Sequence, residues 1–165
     1  MKSIYLAGFD VFRPDAREWG ATLKELCNKY GFEGLYPLDN NAPRTLAGAD
    51  LALWIYRANI ALIQQADMLL ANVNAFRGAE PDSGTAFEIG YAVALDKPVW
   101  AYTDEARPLV KQLPAIRQPG GATYTDTHGY TIEDFGLNLN LMLACSTEIV
   151  IGTAEDALAE MAGHA

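Results

Sequence analysis

The chain has 165 residues, half of them hydrophobic and a fifth charged, a balance that suits one globular domain with a proper core. Its formal net charge of −9 argues against nucleic-acid phosphates and anionic membranes as partners, while leaving room for a small anion bound locally. No basic-then-apolar leader pattern and no apolar run of membrane-spanning length is present, so the expectation is a soluble cytoplasmic protein. Cys27 and Cys145 lie far apart in apolar helical contexts and read as buried free thiols of a reducing compartment.

Ser3 to Ala7 is a short apolar run ending at Gly8, as a buried strand would be. After the loop FDVFRPD, a helix starts at Pro14 and Asp15 and runs to Tyr30, with Trp19, Leu23, Leu26 and Cys27 on one face and Gly31 closing it. Phe32 to Pro37 reads as a second strand, followed by the polar loop LDNNAPRTLAG. A second helix covers about Ala49 to Gln65 and carries Asn59. Asp67 to Val73 is continuously apolar, the mark of a strand buried on both faces of a parallel sheet. The stretch FRGAEPDSGTAFEIGYAVAL, Phe76 to Leu95, is a loop with two N-cap candidates, Asp82 and Ser83, and then an almost wholly apolar helix. VWAY after Lys97 and Pro98 makes a fourth strand. Arg117 to Tyr130 is turn-rich and reads as a surface excursion, Leu137 to Cys145 as a helix, and Thr153 to Met161 as a short final helix.

Strand and helix alternating at this rhythm imply an α/β domain over residues 1–165: a central parallel sheet with right-handed crossovers and helices on both faces. Ligands of such sheets bind at the carboxyl ends of the strands. The loops there are Gly8–Asp15, Leu38–Gly48, Asn74–Ser83 and Thr103–Glu105.

From Gly84 to Leu95 the one carboxylate is Glu88. A helix this apolar is expected to be buried, and a charge inside it is expensive unless paired or used. Helical side chains lean toward the N-terminus, so the Glu88 carboxylate is expected to lie over Gly84, where no side chain blocks a ligand. A Glu paired to a distant Arg is the plainer alternative. GFDVFR lacks the further glycines of a dinucleotide fingerprint, no phosphate loop or G-x-S-x-G elbow exists, and His128 and His164 are too isolated for zinc with these cysteines. What remains is carboxylate chemistry in a crevice with aromatics and amides: Tyr5, Phe9, Phe12, Asp39, Asn40, Asn59, Asp82 and Glu88. A carboxylate can attack a sugar carbon and form a covalent glycosyl intermediate with net retention. Each aromatic taken alone also reads as core.

SIYLAG followed by DVF, then YPLDN, QQADMLLANV, FRGAEPDSGTAFEIGYAVALDKP and LNLNLML together resemble the nucleoside 2-deoxyribosyltransferase family, from about Ser3 to Leu143. The resemblance implies a flavodoxin-like three-layer fold and transfer of 2-deoxyribose between nucleobases, with no cofactor and no metal. On the family pattern Glu88 matches the nucleophile, Asp82 an acid near the sugar's 5′ side, and Tyr5 a tyrosine that holds the nucleophile's other oxygen. Asn140 matches an amide lent by a neighbouring subunit, in a family of dimers and hexamers built from them. Gly8, Phe9, Phe12, Asp39, Asn40, Asn59 and Gly84 complete the expected substrate site. Some relatives carry an Asp where this chain has Asn59, and an amide cannot supply a catalytic proton at neutral pH. That leaves Asp82, Glu80 or water to protonate the departing base.

The expected activity is a retaining exchange of bases on 2′-deoxynucleosides, with a purine preference suggested by the FRGAEPDSGTAFE loop. Partners are then deoxynucleosides, free nucleobases and further copies of the chain. The alternatives are an N-glycoside hydrolase of the same shape, acting on nucleosides or 5′-monophosphates, and a nucleotide-binding module without turnover.

Overall fold

The computed structural model describes residues 1–121 and 123–164. Strand β1 (Lys2–Gly8) buries Ile4, Tyr5, Leu6 and Ala7 in succession, as a strand covered on both faces does. A 3-10 turn (Phe9–Phe12) leads to α1 (Ala16–Lys29), then β2 (Phe32–Leu35), α2 (Gly48–Gln65), the fully buried β3 (Met68–Asn72), α3 (Ser83–Ala94) and β4 (Val99–Thr103). After the short α4 (Leu109–Gln112) come β5 (Ile116–Arg117), β6 (Tyr124–Thr125) and β7 (Thr131–Ile132), an antiparallel ribbon of its own. The chain then forms α5 (Leu141–Ala144), β8 (Glu148–Ile151) and α6 (Ala154–Gly163). The main sheet has the order β2-β1-β3-β4-β8 with every pairing parallel. It is the expected α/β architecture, a flavodoxin-like three-layer sandwich.

The alternation of strand side chains divides the core into two layers. Ile4, Leu6, Met68 and Leu70 pack with Leu23 and Cys27 of α1 and Leu158 of α6. Tyr5, Ala7, Leu69 and Ala71 pack on the opposite face with Ile63 of α2 and with Ile89 and Ala92 of α3. Tyr5 therefore points into the layer that carries Glu88. The direction of strand addition reverses between β1 and β3, and such a switch point opens a crevice at the carboxyl ends. Gly8 stands there at φ +152, where an added Cβ would sit 2.8 Å from the Asn72 Cβ and 2.9 Å from the Asp10 Oδ2. No side chain fits that position without moving β3 or the loop.

Four expectations are corrected. Residues 137–140 are not helical: the α5 start is held by Asn140, whose Oδ1 accepts the Met142 N–H at 3.0 Å, and by Glu133, which accepts the Leu141 N–H at 2.9 Å. The expected excursion Arg117–Tyr130, of which Ala122 lies outside the described residues, contains β5 and β6 and pairs with β7. Cys27 is buried but Cys145 is exposed. Helix α3 is not buried all round, because Phe87 is 52% and Val93 38% exposed. Strand β8 was not anticipated at all. Among the described residues no helix is long and apolar enough to cross a membrane.

Candidate active site

Asp82 caps α3: its Oδ2 accepts the Thr85 N–H at 3.1 Å and the Thr85 hydroxyl at 3.4 Å. Its Oδ1 has no protein donor among the described residues. The cap places Glu88 in the second turn, and Gly84 one turn before it keeps the space above the carboxylate clear. A Cβ at Gly84 would come within 2.9 Å of Asp82 Oδ2. Gly8, Phe12, Asn59, Asp82, Gly84 and Glu88 line one cavity of about 290 Å³.

Below Glu88 the fully buried Tyr5 hydroxyl donates to Oε1 at 2.6 Å. Burial is the first cause that holds the Tyr5 pKa far above its ordinary value, followed by the charge of Glu88 and the bond to it. The phenol thus keeps its proton and stays a donor. Burial also pushes Glu88 up to about 7, with the negative charge of Asp82 adding to the rise and hydrogen bonds from Tyr5 and Asn59 opposing it. No arginine or lysine pairs with Glu88 among the described residues. The plainer alternative of a buried ion pair is thereby removed. The result is a carboxylate held well above the ordinary Glu range, with Oε1 anchored by Tyr5 and the Asn59 amide beside it.

A larger cavity of about 510 Å³ adjoins this one and shares Val11, Pro37, Leu38, Ile55 and Asn59 with it. Asn40 lines the larger cavity, beside Trp54, and its amide donates to the Pro37 carbonyl at 3.4 Å. Asp39 lies in neither: its Oδ1 pairs with Lys24 at 2.7 Å and its Oδ2 accepts the Tyr36 N–H at 3.3 Å. Phe9 also faces elsewhere, onto Phe76 at a ring distance of 4.9 Å, and Phe12 stacks on Phe76 as well, at 5.4 Å. Asn140 is outside the cavity of its own chain and donates to Glu133 Oε1 at 2.9 Å. The walls that the sequence did not single out are Val11, Pro37, Leu38, Ile55 and Thr85. Ile55 stood one helical turn before Asn59, which was the available signal. No group of three or more His, Cys, Asp or Glu converges as a metal site among the described residues.

Residues 4–142 match the family model described as nucleoside 2-deoxyribosyltransferase. A 2-desoxiribosyltransferase from Leishmania mexicana superposes with a TM-score of 0.79 at 34% identity, with 99% of each chain covered. An uncharacterized protein of Schizosaccharomyces pombe is 30% identical over 155 residues, covering 84% of this chain and 74% of that protein. A CMP N-glycosidase of Clostridium botulinum shares the fold at 15% identity and a TM-score of 0.50, over 97% of this chain and 98% of its own. The chain belongs to the nucleoside 2-deoxyribosyltransferase family.

Proposed function

We propose that this protein is a retaining enzyme that moves 2-deoxyribose from one nucleobase to another, with Glu88 as the nucleophile. The observation that carries the reading is the Tyr5–Glu88 pair: one carboxylate oxygen is fixed at 2.6 Å by a phenol that cannot ionise, so the other is left to attack. Glu88 Oε2 forms a bond to the anomeric carbon as the carbon–nitrogen bond breaks, and that electron pair leaves on the base, which takes up a proton. A second base then attacks the glycosyl ester, gives up its proton, and returns Glu88 as a carboxylate. Asn59 holds its place by hydrogen bonding and supplies no proton, so Asp82, Glu80 or water delivers it. Deoxyribose suits the step because it lacks the 2′-hydroxyl that would oppose positive charge at the anomeric carbon.

The roomy neighbouring cavity with Trp54 and Asn40 supports a two-ring base, hence a purine preference. A cytoplasmic role in nucleotide salvage belongs with this reading. The deciding experiment is incubation with deoxyinosine and adenine. Deoxyadenosine is the expected product, in excess of free deoxyribose. Free sugar as the main product makes the enzyme a hydrolase, and tight binding without turnover makes it a binding module.

The pH profile follows from the raised Glu88 pKa. The nucleophile must be ionised, so kcat/KM is expected to fall about tenfold per unit below roughly pH 7. In Asp82→Asn the loss of a neighbouring negative charge moves that limb to lower pH. A limb that stays in place, or lies near pH 4.5 in the wild type, refutes the assignment.

Assembly is part of the same proposal. Tyr56 of α2, Phe87 of α3 and Met142 of α5 are exposed at 51%, 52% and 71%. Large apolar side chains grouped on packed helices favour burial against another copy, which would also carry Asn140 toward a neighbour's cavity. Sedimentation is expected to show a dimer or a multiple of one, and activity per chain to fall on dilution. A fully active monomer overturns this.

A further inference from the structure

On the other face of the β1–α1 loop lies a separate cavity of about 460 Å³, at the carboxyl ends of β1, β3, β4 and β8 and between α1 and α6. Its volume is in the range of small-molecule sites. It shares no lining residue with the cavity around Glu88. Phe76 touches both, stacking on Phe12 of the Glu88 cavity and on Phe9 of the second cavity.

The second cavity has polar groups that the fold alone does not use up. Asp10 is only 5% exposed and accepts from the Asn72 amide at 2.8 Å, with the Tyr102 hydroxyl, a wall of the same cavity, as its second partner. Buried carboxylates ordinarily accept several. Trp19 lines the cavity, and its Nε1 is one of two buried polar side-chain atoms without a partner among the described residues; the other is the Tyr36 hydroxyl. Arg13 lies over the Trp19 ring at 4.6 Å and is tied by two hydrogen bonds to Asp15 at the surface.

These features define the ligand. An indole N–H can only donate and an ionised carboxylate can only accept, so the ligand needs an acceptor and a donor. Trp19, Phe9 and Tyr102 offer flat apolar walls that suit an aromatic ring. With Glu155 paired to Lys29, Asp10 and Asp104 still outnumber the single lining cation Arg13, which disfavours an anion. We infer that this cavity is a second small-molecule site that takes a neutral or cationic aromatic heterocycle with a ring nitrogen and an amino group. Free amino-nucleobases are the members of that class this protein would meet, a choice of ligand that rests on the proposed base exchange.

The three tryptophans allow a direct test, since Trp19 reports this cavity and Trp54 the one beside the Glu88 site. Indole N–H signals of protein labelled with 15N-tryptophan are followed as adenine is added, with Trp19 assigned from Trp19→Phe. Trp19 is expected to shift saturably on an isotherm of its own, and adenosine 5′-monophosphate to leave it unmoved. Asp10→Asn should weaken the Trp19 isotherm by about tenfold, as loss of a charge-assisted hydrogen bond does. Leu26→Trp, which fills the cavity from α1 without touching Asp10, should abolish it while the Trp54 isotherm stays. The proposal is overturned if Trp19 does not move while Trp54 titrates, if Trp19 follows the Trp54 isotherm in the Leu26→Trp variant, or if the monophosphate shifts it as adenine does. Base exchange is measured separately with deoxyinosine and adenine. Its absence beside an intact Trp19 shift defeats the proposed function and leaves the second site standing.

Discussion

Glu88→Gln is expected to abolish base exchange and to make the protein more stable at pH 8. The kinetic effect should be on the order of 10⁴-fold or more, the usual cost of removing a covalent nucleophile. The stability effect follows from the carboxylate's position. Glu88 holds its proton up to about pH 7 in the folded chain, against 4.5 for an ordinary Glu. The folded state thus binds the proton more tightly than the unfolded state, and stability falls as pH rises from about 4.5 through about 7. Above that window the buried anion opposes folding by roughly 3 kcal/mol. Glutamine keeps the shape and an oxygen for the Tyr5 hydroxyl while removing the charge. Thermal melts should therefore show a gain of several degrees at pH 8 that disappears below pH 4.5. A variant that keeps more than about a tenth of the rate would remove Glu88 from the nucleophile's role. A melting temperature lower than wild type at pH 8 would mean the site is not strained by its own charge.

Asp82→Ser is expected to slow use of deoxynucleosides by about tenfold to a hundredfold and to raise tolerance for their 5′-monophosphates. Asp82 uses Oδ2 for the cap and leaves Oδ1 without a protein partner among the described residues. The proposed role of that second oxygen is to accept a hydrogen bond from the substrate's 5′-hydroxyl, a charge-assisted contact of about 1.5–3 kcal/mol. Serine can still cap the helix, so the fold should persist. With the negative charge gone, the helix N-terminus favours a phosphate where the carboxylate repelled it. The measurement is the ratio of kcat/KM for deoxyadenosine to that for its monophosphate, in wild type and variant. An unchanged ratio would reduce Asp82 to a cap or a proton donor.

The centre of the site could be read from the chain because local rules governed it. An N-cap at Asp82, a glycine at Gly84 and a lone acid at Glu88 fix one helix face before any tertiary contact is known; Tyr5 and Asn59 stood among the crevice candidates, and the family resemblance gave Tyr5 its role. What was not legible depended on contacts between distant segments. Strand β8 is four residues long, with Val150 its one buried position, so no periodicity announced it. Strands β5, β6 and β7 are two residues each, too short for any alternation. The apolar sequence of α3 was read as full burial, but hydrophobicity alone does not say whether the cover is the same chain or another one, and Phe87 and Val93 face outward. Asp39 looked like a site residue from its place in YPLDN, and the structure gives its carboxylate to Lys24 and the Tyr36 amide instead.

The hydrogen bond between Tyr5 and Glu88 joins residues 83 positions apart. On a ribosome that separation is a delay on the order of ten seconds, during which the phenol has been made and its partner has not. A nascent chain that stops short of α3 holds the anchor of the site without Glu88, the proposed nucleophile. The last strand to emerge, β8, supplies none of the residues around Glu88, whereas Gly152 and Thr153 just beyond it wall the other cavity. The two cavities are thus finished at different moments of synthesis, the one around Glu88 first.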